Sequence, residues 1–195
     1  MTTPTDCLNS RTSLGRNATP LPVIASAYKV LGGVIGLDPS SDEVINRTVQ
    51  AKRVFTASED GFAKPWVADT LWLNPPGKTM SQGKTITASQ WYQKLYHAWM
   101  HGNVKTALAL VYRGGSLGSL GLDIMSLPIC LTAAGARSSC VNGSGRLSFD
   151  EIDENGNRVT ASKNTQSSAI VLFSIDEEIR RRFKAEFSRY GVVKL

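Results

Sequence analysis

Short apolar runs of strand length alternate with segments of helical spacing through the first half of the chain. The pattern predicts strands at residues 34–37, 71–73 and 106–112, and helices at residues 22–31, 40–52 and 90–101. Strands that alternate with helices are joined by crossover connections, which build a parallel sheet covered by helices on both faces. The chain is therefore predicted to have an α/β fold.

The second half of the chain is richer in strands than the first. Apolar runs of strand length lie at residues 128–132, 145–149 and 168–173, and an amphipathic helix is predicted to begin after Asp176. Strands that follow one another without a helix between them favour antiparallel pairing. We therefore expect a mixed, mostly parallel sheet with an antiparallel edge.

A length of 195 residues fits one domain. Residues 1–20 are polar and show no periodicity, so we expect a flexible N-terminal arm followed by one domain at residues 21–195. A polar loop is expected at residues 78–88, a short helix with a loop at residues 114–127, and an exposed excursion at residues 150–166. The sequence does not determine the oligomeric state, and we expect a monomer.

Cysteine usage and hydropathy bear on the compartment and on bound metals. Cys7, Cys130 and Cys140 are odd in number and share no short metal-binding spacing, so they are predicted to be reduced thiols of a cytoplasmic protein. No apolar run of about 18 residues is present, and the N-terminus lacks an apolar signal segment, so no membrane segment is expected. His97 and His101 have a spacing that can bind zinc, but no third ligand is evident and no metal is expected.

The net charge of +6 suits a polyanionic partner such as a nucleic acid. Lys78 and Lys84 flank the loop that follows residues 71–73, and Arg113 ends a strand on the same side of the predicted sheet. We expect these three cations to contact phosphates.

The most specific short motif is Asn74-Pro75-Pro76-Gly77, which directly follows a predicted buried strand. Open α/β sheets bind ligands at the carboxyl ends of their strands. An amide oxygen of Asn74 and the carbonyl of Pro75 can each accept one hydrogen of an aromatic amine, which frees the nitrogen lone pair for attack on a methyl group. The prolines fix the turn, because their φ is fixed. The same tetrapeptide is also a good ordinary turn.

Several sequence blocks, taken in order, resemble the phage-type, Dam-like DNA adenine methyltransferases. The blocks are residues 31–41, 51–56, 59–61 with Trp66, 73–77, 90–95, 145–149 and 168–173. The resemblance covers most of residues 20–190. It implies a Rossmann-like S-adenosylmethionine-dependent methyltransferase fold and methylation of the exocyclic amine of adenine in double-stranded DNA by base flipping. It also implies the cytoplasm of a bacterium or of a phage-infected host cell.

The resemblance implies that Asp38-Pro39-Ser40-Ser41 is a shortened cofactor loop, in which Asp38 accepts from the methionine amino group. The alternative is that Asp38 only caps the helix that follows. Glu59 or Asp60 is implied to bind the ribose or adenine of the cofactor, with a solvated loop acid as the alternative. Arg146 lies in the Gly-Arg block of the family and is a candidate DNA contact.

The chain departs from the family pattern at Gly77, where many members carry an aromatic residue that stacks on the flipped base. Stacking is then expected from Trp91, Tyr92 or Phe62, although a core aromatic on its helix is the favoured alternative for Trp91. A full glycine-rich nucleotide loop is also missing. Two alternatives stay open: methylation of an RNA or protein group, and a non-catalytic nucleic-acid-binding descendant.

Overall fold

The structure is a computed structural model that describes residues 16–112, 120–153, 157–162 and 167–195. The helices are α1 (Leu21–Val30), α2 (Glu43–Val49), α3 (Ala88–Met100), α4 (Leu122–Met125) and α5 (Glu177–Phe187). The strands are β1 (Arg16–Ala18), β2 (Leu37–Asp38), β3 (Arg53–Val54), β4 (Ala68–Leu73), β5 (Lys78–Ser81), β6 (Lys84–Thr87), β7 (Val104–Tyr112), β8 (Ile129–Thr132), β9 (Phe149–Ile152), β10 (Arg158–Ser162), β11 (Ser168–Phe173) and β12 (Gly191–Lys194).

Seven strands form the central sheet in the order β12-β8-β11-β7-β4-β2-β3. The strands β3, β2, β4 and β7 pair in parallel. The strand β11 is antiparallel to β7, and β8 and β12 continue the antiparallel pairing from there. Two reversals bring β8 back to the direction of β7, so five of the seven strands run the same way. The predicted mixed, mostly parallel sheet is confirmed.

Each face of this sheet is covered by a separate apolar cluster. On one face Trp72 and Leu108 belong to a cluster with residues of α1 and α5, including Ala27 and Phe183. On the other face Leu71 and Ala107 belong to a cluster with residues of α3 and α4. Neighbouring strand residues therefore point to opposite cores, which explains why all six residues of β11 are buried without polar alternation. The predicted placement of helices on both faces is confirmed.

The helices begin where the sequence offers side-chain caps. The Asp42 carboxylate accepts from the backbone amides of Val44 and Ile45 at the start of α2. Thr87 and Gln90 form a capping box at the start of α3. Asp176 accepts from the amide of Ile179 and caps α5, as predicted.

A second sheet contains β1, β9 and β10 in the order β1-β9-β10, and it corrects two predictions. The predicted arm at residues 1–20 includes β1, which pairs antiparallel with β9, and the buried residues Ala18 and Thr19. Residues 1–15, with Cys7, lie outside the described residues. The predicted excursion at residues 150–166 includes most of β9 and all of β10. Strands of three to five residues are too short for a period to be detected, which is why the sequence did not reveal them.

The predicted polar loop at residues 78–88 is a β-hairpin. Its strands β5 and β6 pair antiparallel from Lys78↔Thr87 to Ser81↔Lys84. The two turn residues Gln82 and Gly83 have φ values of 49° and 76°, in the left-handed region that two-residue hairpin turns require. The loop prediction was wrong because the lysines, threonines and serine of this segment conceal its alternation.

Candidate active site

The carboxyl ends of β2 and β4 lie side by side in the middle of the parallel part of the sheet. From β2 the chain continues to β3 on one side, and from β4 it continues to β7 on the other. The two connections therefore leave in opposite directions and open a crevice between them. Open α/β sheets bind their ligands in such a crevice.

A pocket of about 320 Å³ occupies this crevice. Its walls come from the segments that follow β2, β3 and β4, from the hairpin, from α3 and from the last residue of β7. The lining residues are Pro39, Ser40, Ser41, Asp42, Phe55, Thr56, Ala57, Asp60, Gly61, Phe62, Asn74, Pro75, Pro76, Lys78, Thr79, Met80, Trp91 and Tyr112. The structure therefore brings together the predicted cofactor segment and the predicted catalytic segment.

Asn74 is held by hydrogen bonds from three directions. Its side-chain Nδ2 donates to Thr19 Oγ1 at 3.2 Å, and its Oδ1 accepts from the Tyr112 hydroxyl at 3.1 Å. Its backbone oxygen accepts from Ser40 Oγ at 3.1 Å. The two side-chain bonds hold the plane of the amide. An amide oxygen has two lone pairs, so one acceptor position on Oδ1 remains for a ligand in the pocket.

The other three residues of the motif, Pro75, Pro76 and Gly77, complete the turn that begins at Asn74. Pro75 is buried, Pro76 is half-buried, and both line the pocket. Gly77 is exposed and lies outside the pocket lining, and its carbonyl accepts from the amide of Ala88 at 3.2 Å. Gly77 therefore ties the turn to the start of α3.

Asp38 lies behind the pocket and is not part of its lining. It is 3% exposed, and its Oδ1 accepts from the backbone amide of Ser40 at 3.1 Å. Burial raises the pKa of Asp38 to about 7, although hydrogen bonds from Ser40 and Ser41 act in the opposite direction. The alternative of a helix cap is wrong, because Asp42 caps α2. Asp38 shapes the turn that presents Pro39, Ser40 and Ser41 to the pocket.

The loop after β3 forms the wall of the pocket opposite the segment that follows β2. Glu59 is exposed, lies outside the lining and accepts from the amide and hydroxyl of Thr56, both at 2.9 Å. These bonds lower the pKa of the Glu59 carboxyl. Asp60 does line the pocket, and its Oδ2 accepts from Ser81 Oγ of the hairpin at 2.9 Å. A side chain at Gly61 would overlap the backbone oxygen of Pro39, so the two loops approach closely only because residue 61 is glycine.

Lys94 of α3 anchors the end of the same loop. Its ammonium group donates to the backbone oxygens of Phe62 and Lys64, and it lies 4.9 Å from the ring centroid of Trp66 and 5.1 Å from that of Phe62. Partial burial lowers the pKa of Lys94. The indole Nε1 of Trp66 donates to the Gly61 oxygen at 2.9 Å. These contacts give the pocket a fixed aromatic wall.

The three candidate stacking residues have different positions. Phe62 and Trp91 line the pocket and pack edge to face, with ring centroids 5.3 Å apart. Trp91 is only 3% exposed, so most of its ring belongs to the core. Tyr92 is fully buried and donates to the Leu110 oxygen at 2.9 Å, so its selection as a stacking candidate was wrong. One step along α3 turns a side chain by about 100°, which takes Tyr92 away from the pocket.

Of the described residues predicted to contact DNA phosphates, the structure places only Lys78 in the pocket lining. Lys78 lines the pocket, and Lys84 is exposed on the neighbouring strand of the hairpin. Arg146 lies outside the lining, in a turn where its amide donates to Asn142 Oδ1. Arg113 lies outside the described residues.

The site also contains residues that the sequence did not reveal. Thr19 and Tyr112 reach Asn74 across 55 and 38 positions of sequence, so no local pattern indicates them. Phe55 and Met80 line the pocket as well. The only available signal was positional, since Phe55 follows a strand of the parallel sheet and Tyr112 ends one.

The described part of the chain contains no group of three His, Cys, Asp or Glu residues that could hold a metal ion. Within the same ranges no helix is both long and apolar enough to cross a membrane. Cys130 and Cys140 are buried free thiols. Comparison with protein-family models, curated proteins and solved structures gives no match to this chain.

Proposed function

We propose that the protein transfers a methyl group from S-adenosylmethionine to the exocyclic amine of adenine in double-stranded DNA, with the base flipped into the pocket. The observation that carries the proposal is the Asn74 amide, which is locked by Thr19 and Tyr112 at the carboxyl end of β4 with one acceptor position left on Oδ1. The resemblance in sequence and the α/β sheet with its central crevice support the same conclusion.

The cofactor side of the pocket offers groups that fit S-adenosylmethionine. Ser40, Ser41 and Asp42 line it beside β2, and Phe55 and Asp60 line it beside β3. Carboxylates suit an amino group or ribose hydroxyls, and an aromatic ring suits an adenine ring. When bound, S-adenosylmethionine supplies an electrophilic methyl group on a positively charged sulfur.

The residues on the other side would activate the amine by orientation. The Asn74 oxygen and the Pro75 carbonyl each accept one N–H of the adenine amine, which draws the lone pair out of the ring and directs it at the methyl carbon. The N–C bond then forms as the C–S bond breaks, the bonding pair passes to sulfur, and one amine proton is lost to solvent. Catalysis of this kind depends on positioning and electrostatics.

The proposal is tested by transfer of labelled methyl groups from S-adenosylmethionine to unmethylated duplex DNA, followed by nucleoside digestion. We expect label in N6-methyladenine and a loss of about 10²-fold for Asn74→Ala, as for other removed positioning groups. Asn103→Ala, in the turn that precedes β7, is the matched control. Label in RNA or protein instead of DNA would refute the substrate, and absence of both transfer and S-adenosylmethionine binding would refute the reaction.

A further inference from the structure

The β5–β6 hairpin presents one exposed face at the mouth of the pocket. Lys78, Met80, Thr85 and Thr87 are all exposed, and the paired register places Met80 opposite Thr85 and Lys78 opposite Thr87. Met80 is 48% exposed, although it is a large apolar side chain. An isolated exposed methionine needs no explanation by itself, but this one also lines the pocket.

The hairpin is fastened on its other face. Ser81 and Ile86 are each 6% exposed, and Ile86 belongs to the core that contains α3. Ser81 donates to Asp60 on the opposite wall of the pocket. A hairpin held at these two points keeps its exposed face in a constant position relative to Asn74.

The charged side chains of the hairpin are all basic. Residues 78–87 contain Lys78 and Lys84 and no acidic residue. Neither lysine forms an ion pair within the described ranges of the chain, whereas Arg180 and Arg181 on α5 are paired with glutamates of the same helix. The basic surface beside the pocket is therefore available to a polyanion.

We infer that the exposed face of the β5–β6 hairpin docks on duplex DNA, and that Met80 enters the base stack where the target base has left it. The inference rests on the proposed function and identifies the hairpin as the element that contacts the duplex substrate. Lys78, on the same face as Met80, contacts a phosphate beside the gap. Removing a base from a duplex breaks stacking, and an apolar side chain that fills the gap restores part of the lost contact. Methionine suits this role because its unbranched side chain adapts to irregular spaces.

The first experiment compares methyl transfer to unmethylated duplex DNA with transfer to the same DNA after heat separation of its strands. Met80→Ala should lower transfer to the duplex by about tenfold or more and leave transfer to separated strands within about twofold, because only the duplex loses stacking. Met100→Ala is the matched control, since Met100 is 58% exposed at the end of α3. Equal effects of Met80→Ala on both substrates, or no effect on either, would overturn the role of Met80.

The second experiment measures equilibrium binding of duplex DNA as a function of salt and does not depend on catalysis. Lys78→Ala should lower the slope of log K against log[salt] by about 0.9, the value for one lost phosphate contact. Lys52→Ala, an exposed lysine just before β3, should leave the slope unchanged. Equal slopes for wild type and Lys78→Ala would overturn the docking surface. If the hairpin variants alter binding but the wild type transfers no methyl group, the proposed reaction fails and the docking surface stands.

Discussion

Replacing Tyr112 by phenylalanine removes one hydroxyl from the candidate active site and leaves the ring in place. The hydroxyl donates to Asn74 Oδ1 at 3.1 Å. The ring packs against Phe149 with centroids 5.9 Å apart, and this contact does not require the hydroxyl. The variant therefore loosens the Asn74 amide without opening a cavity, while the bond from Nδ2 to Thr19 at 3.2 Å remains.

One intramolecular hydrogen bond contributes about 1 kcal/mol, with a range of about 0.5–1.5 kcal/mol. A change of about 1.4 kcal/mol alters a rate tenfold, so the loss predicts a rate that is lower by about fivefold, within a range of about two- to twelvefold. The effect should fall on kcat, because the amide orients the reacting amine and does not hold the rest of the DNA. Thr19→Val should act in the same way, and Thr19→Ser should restore the rate.

Single-turnover methyl transfer at saturating S-adenosylmethionine and DNA measures this rate directly. Tyr96→Phe on α3 is the matched control, because Tyr96 also packs against aromatic neighbours. The double variant Tyr112→Phe with Thr19→Val should lose less than the product of the two single effects, because both act on one amide. An unchanged kcat with a raised KM would refute the reasoning, since it would place Tyr112 in DNA binding and not in the support of Asn74.

Three further predictions concern stability, and each is measured by chemical denaturation. The pKa of Asp38 is raised to about 7 in the folded state, so between about pH 4 and pH 7 the unfolded chain loses a proton that the folded chain keeps. The free energy of unfolding should therefore fall by up to about 4 kcal/mol as the pH rises through this window. Asp38→Asn should remove this dependence on pH. The same dependence in the variant would contradict the argument that burial raises the pKa of Asp38. Gly61→Ala should destabilise the fold by about 1–3 kcal/mol, because the new methyl group overlaps the oxygen of Pro39, and a neutral result would show that the loops can separate freely. Ser81→Ala should cost about 1 kcal/mol through the lost bond to Asp60, whereas Thr85→Ala on the exposed side should cost less than half of that.

The elements that were predicted correctly are those with long apolar patterns. The strand at residues 168–173 was placed without error, because six consecutive residues buried on both faces form an apolar run bounded by polar residues. The short strands β3 and β12 were missed, and so was the hairpin, since segments of two to four residues are too short to show a period. Their position depends on neighbours that are distant in sequence.

The candidate site was predictable where it is local and not where it is assembled from distant segments. The segment 74–76 lines the pocket as expected, because a motif that ends a parallel strand must lie at the carboxyl edge of the sheet. Thr19 was assigned to a flexible arm, and Tyr112 was not singled out. Both contacts depend on pairing between β1 and β9 and on the position of β7, which no local sequence pattern contains.

The pairing of β1 with β9 also determines when the site is completed during synthesis. Arg16–Ala18 is the first strand of the described chain, and its partners at residues 150–152 are made more than 130 positions later. Until the ribosome has released that segment, Thr19 has no sheet to hold it beside Asn74. The bond from Asn74 Nδ2 to Thr19 is therefore made late, and a chain interrupted before residue 149 would carry the motif at residues 74–77 without it.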